Sequence, residues 1–225
     1  LSDQRIKKKE KIKALNYLKL IPSKKFNPML INNFLKFNQK TKNYSHFLPK
    51  GFFNQYKVII IAGGEISISK IKKIKKFTKE KNIFILSINL NKNITKKLIN
   101  MFVFSHPLQI QSQLNLVKTG RHKIVYPFSF LNKKLPKTNP KQVKNLYNFG
   151  LSVNNSNKIN VNQNDCNLPE PLGIGYAISI CIAKGCKSLY FAGVDNIKNK
   201  NKFDNSSILL QKMKRKFPKI SFKSI

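Results

Sequence analysis

The sequence predicts an α/β fold: a mostly parallel sheet with helices on both faces, preceded by a short helical N-terminal segment. Three observations predict it. Apolar runs such as Val58–Ala62 and Ile83–Ile88 are continuous rather than alternating, which is how strands buried on both faces read. The first run is followed by isoleucines recurring every third residue between lysines, the pattern of an amphipathic helix. Strand and helix patterns then alternate toward the C-terminus, as they do where helical crossovers connect parallel strands.

Residues 1–40 form the expected helical segment. Ile6, Ile12, Leu15 and Leu18 recur among lysines at roughly helical spacing, and Pro22 closes that element. Asn27 and Pro28 then suit the cap and first turn of a second helix, with Met29, Ile31, Phe34 and Leu35 as its apolar face. Residues 41–55 are polar, dotted with aromatics and broken by Pro49 and Gly51, so they read as a linker.

The α/β domain spans residues 56–225. Tyr56–Ala62 is its first strand, Gly63-Gly64 a tight turn, and Ile68, Ile71, Ile74 and Phe77 the inner face of a helix. Ile83–Ile88 is a second strand, 93–100 a short helix, Phe102–Ser105 a third strand and Lys123–Tyr126 a fourth. Residues 132–163, rich in Asn, Lys and Pro, read as an irregular excursion with at most one short strand around 147–153. From Pro169–Pro171 an apolar helix with small residues Gly173, Gly175 and Ala177 runs to Gly185, a residue suited to the left-handed position that ends a helix. Asp165 and Glu170 flank that helix as candidate caps. Ser188–Ala192 is another buried strand, 206–216 the last helix, and a short tail begins at Ile220.

Composition excludes several classes. A chain of 225 residues can bury a full core without staples. Cys166, Cys181 and Cys186 cannot pair evenly and sit in no CxxC, which argues against a disulfide framework or zinc ribbon. The longest apolar runs are strand length, short of the roughly 20 residues of a membrane span, so no span is expected. Leu1 is followed by charged residues rather than an apolar run, so no signal peptide is expected, the chain reads as starting partway through a longer product, and a cytoplasmic location fits.

The net charge of +36, from 44 basic against 8 acidic side chains, invites a nucleic-acid reading. Two features argue against specific nucleic-acid binding. Only Arg5, Arg121 and Arg215 offer the planar guanidinium fork, and no basic stripe is interleaved with aromatics. Lys, Asn and Ile together make 96 of the 225 residues, all with A/T-rich codons, so base composition accounts for much of the excess.

The candidate functional residues lie at predicted strand ends, where ligands bind in open α/β sheets. Gly63 and Gly64 allow backbone N–H groups to approach an anion at a helix start, although a plain strand-to-helix turn would use them equally. Asn89 follows the second strand. Ser105-His106-Pro107 follows the third, and His106 could donate to a ligand or transfer a proton. Asp195, after Gly193-Val194, could hold a ribose or sugar diol; capping a helix or pairing with a lysine are its structural alternatives. His46 and His122 read as surface residues. No Ser/His/Asp or Cys/His set is spaced for a nucleophilic hydrolase.

Three blocks carry a resemblance: Lys57-Val-Ile-Ile-Ile-Ala-Gly-Gly, Phe104-Ser-His-Pro-Leu, and Gly175-Tyr-Ala-Ile-Ser-Ile-Cys-Ile-Ala-Lys-Gly-Cys-Lys-Ser-Leu-Tyr-Phe-Ala-Gly-Val-Asp195. Together they resemble the Rossmann-like C-terminal domain fused behind HMG-CoA-lyase-like barrels, of the type labelled 4-hydroxy-2-oxovalerate aldolase, in bacterial surface-polysaccharide clusters. The last block is also similar to the group containing bacterial sialyltransferases, flagellin glycosyltransferases and a pterin pyrophosphokinase. The likeness covers about 170 residues from Tyr56, and Ala14–Leu18 with Phe26–Ile31 is similar to the helices that end such a barrel. The chain departs from that pattern at Ala62–Ile66, where the family carries GPGPS or GNGPS, at Gln109 and at Val194–Ile197.

The resemblance implies a domain that binds a nucleotide-activated or acidic sugar in surface-glycan synthesis, as part of or partner to an aldolase-type enzyme. Gly63, Gly64, Asn89, Ser105, His106 and Asp195 would form the ligand site, with His106 and Asp195 as the catalytic candidates. It implies no cofactor in this chain, any divalent metal belonging to an upstream barrel. The alternatives are a stand-alone sialyltransferase-like glycosyltransferase, using nearby cations at the leaving phosphate, and a non-catalytic or polyanion-binding basic module.

Overall fold

The computed structural model describes residues 46–64, 66–88, 94–105, 121–127, 145–153, 158–170, 172–194 and 205–225. The expected helical segment 1–40 lies outside the described residues, as do 41–45 of the expected linker.

The predicted α/β architecture is present. Strands β1 (Lys57–Ile61), β2 (Ile83–Ser87), β3 (Met101–Val103), β4 (Lys123–Tyr126) and β5 (Leu146–Asn148) lie side by side in chain order. Beyond β1 on its other side stand β9 (Ser188–Ala192) and β10 (Ser221–Ser224), giving the order β10-β9-β1-β2-β3-β4-β5. Every neighbouring pair in this seven-stranded sheet is parallel.

Alternation along β1 divides the core. Val58 and Ile60 face one layer, with α2 (Gly173–Ala183) and α3 (Asn205–Lys216), while Ile59 and Ile61 face Ile74 of α1 (Ile68–Phe77) on the other. These four β1 residues are fully buried, which explains why the strand is apolar from Val58 onward. Ser67 caps α1 by accepting from the Lys70 amide, and Thr78 ends it with its N–H on the Ile74 carbonyl. α2 has 8 buried residues among its 11 because it lies between the large sheet, α3 and a second sheet, so its pattern is apolar all round. Gly185, at φ +88, closes it: the Cys186 amide bonds back to the Cys181 carbonyl and the Gly185 amide to that of Ile182.

Several expectations are corrected. Within 132–163 the described residues hold not one short strand but β5, β6 (Gly150–Val153) and β7 (Asn160–Val161). With β8 (Asp165–Leu168), the last two make a sheet of order β6-β8-β7. These strands are two to four residues long and half exposed, so backbone pairing defines them rather than an apolar run. The tail from Ile220 is the parallel edge strand β10, and the described residues of 93–100 hold only a 3-10 turn, Lys96–Leu98.

Within residues 46–55, expected as linker, two side chains belong to the core. Phe53 is fully buried, packs edge-on against Phe52 and Phe84, and donates its N–H to the Lys184 carbonyl at 2.9 Å. Leu48 is also buried, and Phe47 bridges to Asn148 beside β5. His122 is half buried rather than a surface residue, its ring edge-on to Phe102 and its Nδ1 3.2 Å from the Ile99 carbonyl. His46 is exposed and stacked on Tyr147.

Candidate functional site

Strand order reverses direction at β1. The chain leaves it toward β2 on one side and returns to place β9 on the other. This is the topological switch point of an open parallel sheet, whose carboxyl edge is where ligands bind in such folds.

Two glycine turns meet there. The Ala62 amide extends the ladder to the Ala192 carbonyl at 2.9 Å, and the Gly64 amide then donates to the Gly193 carbonyl at 3.1 Å. Gly193 has φ +74, a conformation that L side chains rarely adopt. A Cβ on Gly64 would run into the Gly193 carbonyl oxygen. Both glycines are therefore needed for this backbone contact, and the Gly64 amide is committed to it. Of the predicted pair, Gly63 is the exposed member.

A second part of the edge lies over β2 and β3. Ser105, the residue after Phe104 at the end of β3, is buried, and the first residue of α2 packs against it. A Cβ on Gly173 would lie 2.5 Å from Ile88 Cγ2 and 3.5 Å from Ser105 Oγ. The N-terminus of α2 thus faces the carboxyl edge, with Leu172 at the cap position and no side-chain cap there. Asp165 and Glu170 do not cap it: Asp165 lies within β8 and accepts from Asn162 Nδ2 at 2.8 Å, and Glu170 precedes the cap position by two residues. Ser87, a fully buried polar residue ending β2, belongs to the same edge and was not singled out from sequence; the one serine in an apolar strand was its signal.

The structure brings Gly63 and Gly64 to the β1–β9 junction and Ser105 to the α2 start, two strand spacings or roughly 10 Å apart across β2. Asn89, His106 and Asp195 lie outside the described residues. The described residues that follow β1, β2, β3, β4 and β9, up to Ser67 on the β1 side, include no Lys or Arg, and Lys92, Lys133, Lys134 and Lys198, further along those loops, lie outside the described residues. Among the described residues, no group of three or more His, Cys, Asp and Glu side chains is placed to hold a metal ion.

All three cysteines are buried, and burial pushes the Cys166 thiol up to about 12 and that of Cys186 to about 11. Such thiols are poor nucleophiles at neutral pH. Fold and edge together define a Rossmann-like, parallel α/β domain with its switch point between β1 and β9. No protein-family model matches the chain, and no match is found among the curated proteins.

Proposed function

We propose that this domain binds a nucleotide-activated or acidic sugar at its carboxyl edge, in bacterial surface-glycan synthesis, as part of or partner to an aldolase-type enzyme. The observation that carries the reading is the switch point at β1 and β9, with its paired glycine turns. The uncapped start of α2 supports it, since first-turn amides offer donors and a partial positive charge to a phosphate or carboxylate. With the Gly64 amide committed to Gly193, anion contacts fall to Gly63 and the α2 start, backed by buried Ser105. The blocks quoted above suggest roles for Asn89 and His106 in orienting the sugar or moving a proton, and for Asp195 in holding hydroxyls.

Calorimetric titration with CTP, CMP and CMP-linked sugars, repeated on Asp195→Asn, tests the proposal. Expected is saturable binding in the micromolar to millimolar range, weakened at least tenfold in the variant for the sugar nucleotide. No heat from any of these ligands at millimolar concentration sinks it. Release of free CMP from the donor would move the chain from binding module to glycosyltransferase.

A further inference from the structure

The positive charge is not distributed evenly about the sheet. Six of its seven strands follow an exposed cation: Lys57, Lys81, Arg121, Lys187 and Lys219 stand at or within two residues of the starts of β1, β2, β4, β9 and β10, and Lys97 lies in the turn four residues before β3. All the strands are parallel, so these starts share one edge of the sheet. Seven strands at about 4.8 Å spacing make that edge roughly 29 Å long. The sequence after the strands is different: 62–69, 88–91, 104–117, 127–132 and 193–197 contain no Lys or Arg.

Two background explanations fall short. Codon composition would scatter lysine over both edges, and among the described residues none follows directly on β1, β2, β3, β4 or β9. Helix dipoles favour cations in last turns, which accounts for Lys75, Lys76 and Lys214–Lys216. It does not account for Lys57, the first residue of a strand, or Lys187, beyond the Gly185 turn of a helix whose own last turn has no basic residue. Among the described residues only Lys57 of the six is in an ion pair, with Glu80 at 3.3 Å, and both partners are about half exposed.

We propose that the amino edge of the sheet docks on an anionic phospholipid surface. Five of the six cations are lysines, point charges suited to a diffuse field of phosphates rather than to bidentate readout. The exposed large apolar residues among those described are Phe47, Ile68 and Ile208, and none belongs to this row. Among the described residues the edge therefore offers neither the aromatic platform that single-stranded nucleic acid stacks on nor the apolar wedge of an inserting helix. What remains is a row of cations on successive strand starts, which meets a flat anionic surface at many points at once. Docking this way leaves the carboxyl edge facing solution, so the two edges work independently and the inference does not rest on the sugar-nucleotide reading.

Co-flotation with vesicles of neutral phosphatidylcholine, with and without 30 % phosphatidylglycerol, tests it on the whole chain. The edge variant is Lys97→Glu, Lys187→Glu, Lys219→Glu; the control, Lys72→Glu, Lys158→Glu, Lys223→Glu, carries the same net charge elsewhere. Circular dichroism checks that both are folded. Each lysine near such a surface is worth about fivefold in partitioning at moderate ionic strength. Expected is flotation with anionic vesicles only, a loss of at least tenfold in the edge variant and of less than twofold in the control. Equal losses in the two variants, or no flotation of the parent protein at low salt, overturn the proposal. So does random-sequence RNA that binds more tightly than vesicles at matched phosphate.

Discussion

Gly64 and Gly193 hold the β1 and β9 turns together: the Gly64 amide donates to the Gly193 carbonyl at 3.1 Å, and the same oxygen occupies the space a Gly64 Cβ would need. The backbone at the switch point is built around that contact. Gly64→Ala therefore forces main chain to move, and Gly193→Ala puts a side chain at φ +74 with the Ala62 carbonyl 3.0 Å away. Each is expected to cost about 2–4 kcal/mol in urea denaturation. The double variant should cost less than the sum, because either change breaks the same contact. A loss below about 1 kcal/mol for Gly64→Ala would contradict the packing described.

Phe53 makes a second test, because the sequence reads it as linker and the structure buries it completely against Phe52 and Phe84. Phe53→Ala in the full chain should lose about 3–5 kcal/mol of unfolding free energy. An effect under about 1 kcal/mol would restore the linker reading.

What was legible in the sequence follows from where each element sits. β1, β2, β9 and α2 are buried nearly all round, so their composition alone marks them. β5, β6, β7 and β10 are defined by pairing to a neighbour while their side chains stay half exposed, and a window of Asn, Ser and Gly does not reveal that. Phe52 and Phe53 were misread for a related reason: two apolar residues among polar ones have no period, and only the docking of their turn on Phe84 and the Lys184 carbonyl makes them core. At the candidate site, glycines after strands marked the edge correctly. That the Gly64 amide binds Gly193 depends on β9 lying beside β1, a long-range adjacency with no local signal.

Thiol chemistry gives a prediction about reactivity. With its pKa near 12, Cys166 at pH 8 holds about one thiolate per ten thousand molecules, against about a quarter for a free thiol at 8.5. Cys186, near 11, holds about one per thousand, and Cys181 lies well above its usual value from burial. A disulfide-exchange reagent at pH 8 should leave all three unmodified in the folded protein for hours and titrate three per chain in urea. Modification of any one within minutes under native conditions would show an opening that the packing does not allow.

Lys184 gives the protein a pH dependence whose sign can be worked out. Its side chain is sealed from solvent at the end of α2, its Nζ donates to Asn164 Oδ1 at 2.8 Å, and no carboxylate pairs with it among the described residues. Desolvation lowers its pKa from 10.5, so the folded chain holds the proton less tightly than the unfolded one. The penalty is full below the folded value and is relieved as pH rises from that value toward 10.5. Lys184→Met keeps the stem and removes the charge, so it should be neutral or stabilising at pH 7, with its advantage shrinking as pH approaches 10.5. Asn164→Leu should instead strand the ammonium and cost about 1–3 kcal/mol at pH 7. Denaturant curves for both variants between pH 6 and 10.5 decide it: an advantage for Lys184→Met that grows with pH would mean that the amine is stabilised as a cation in the fold.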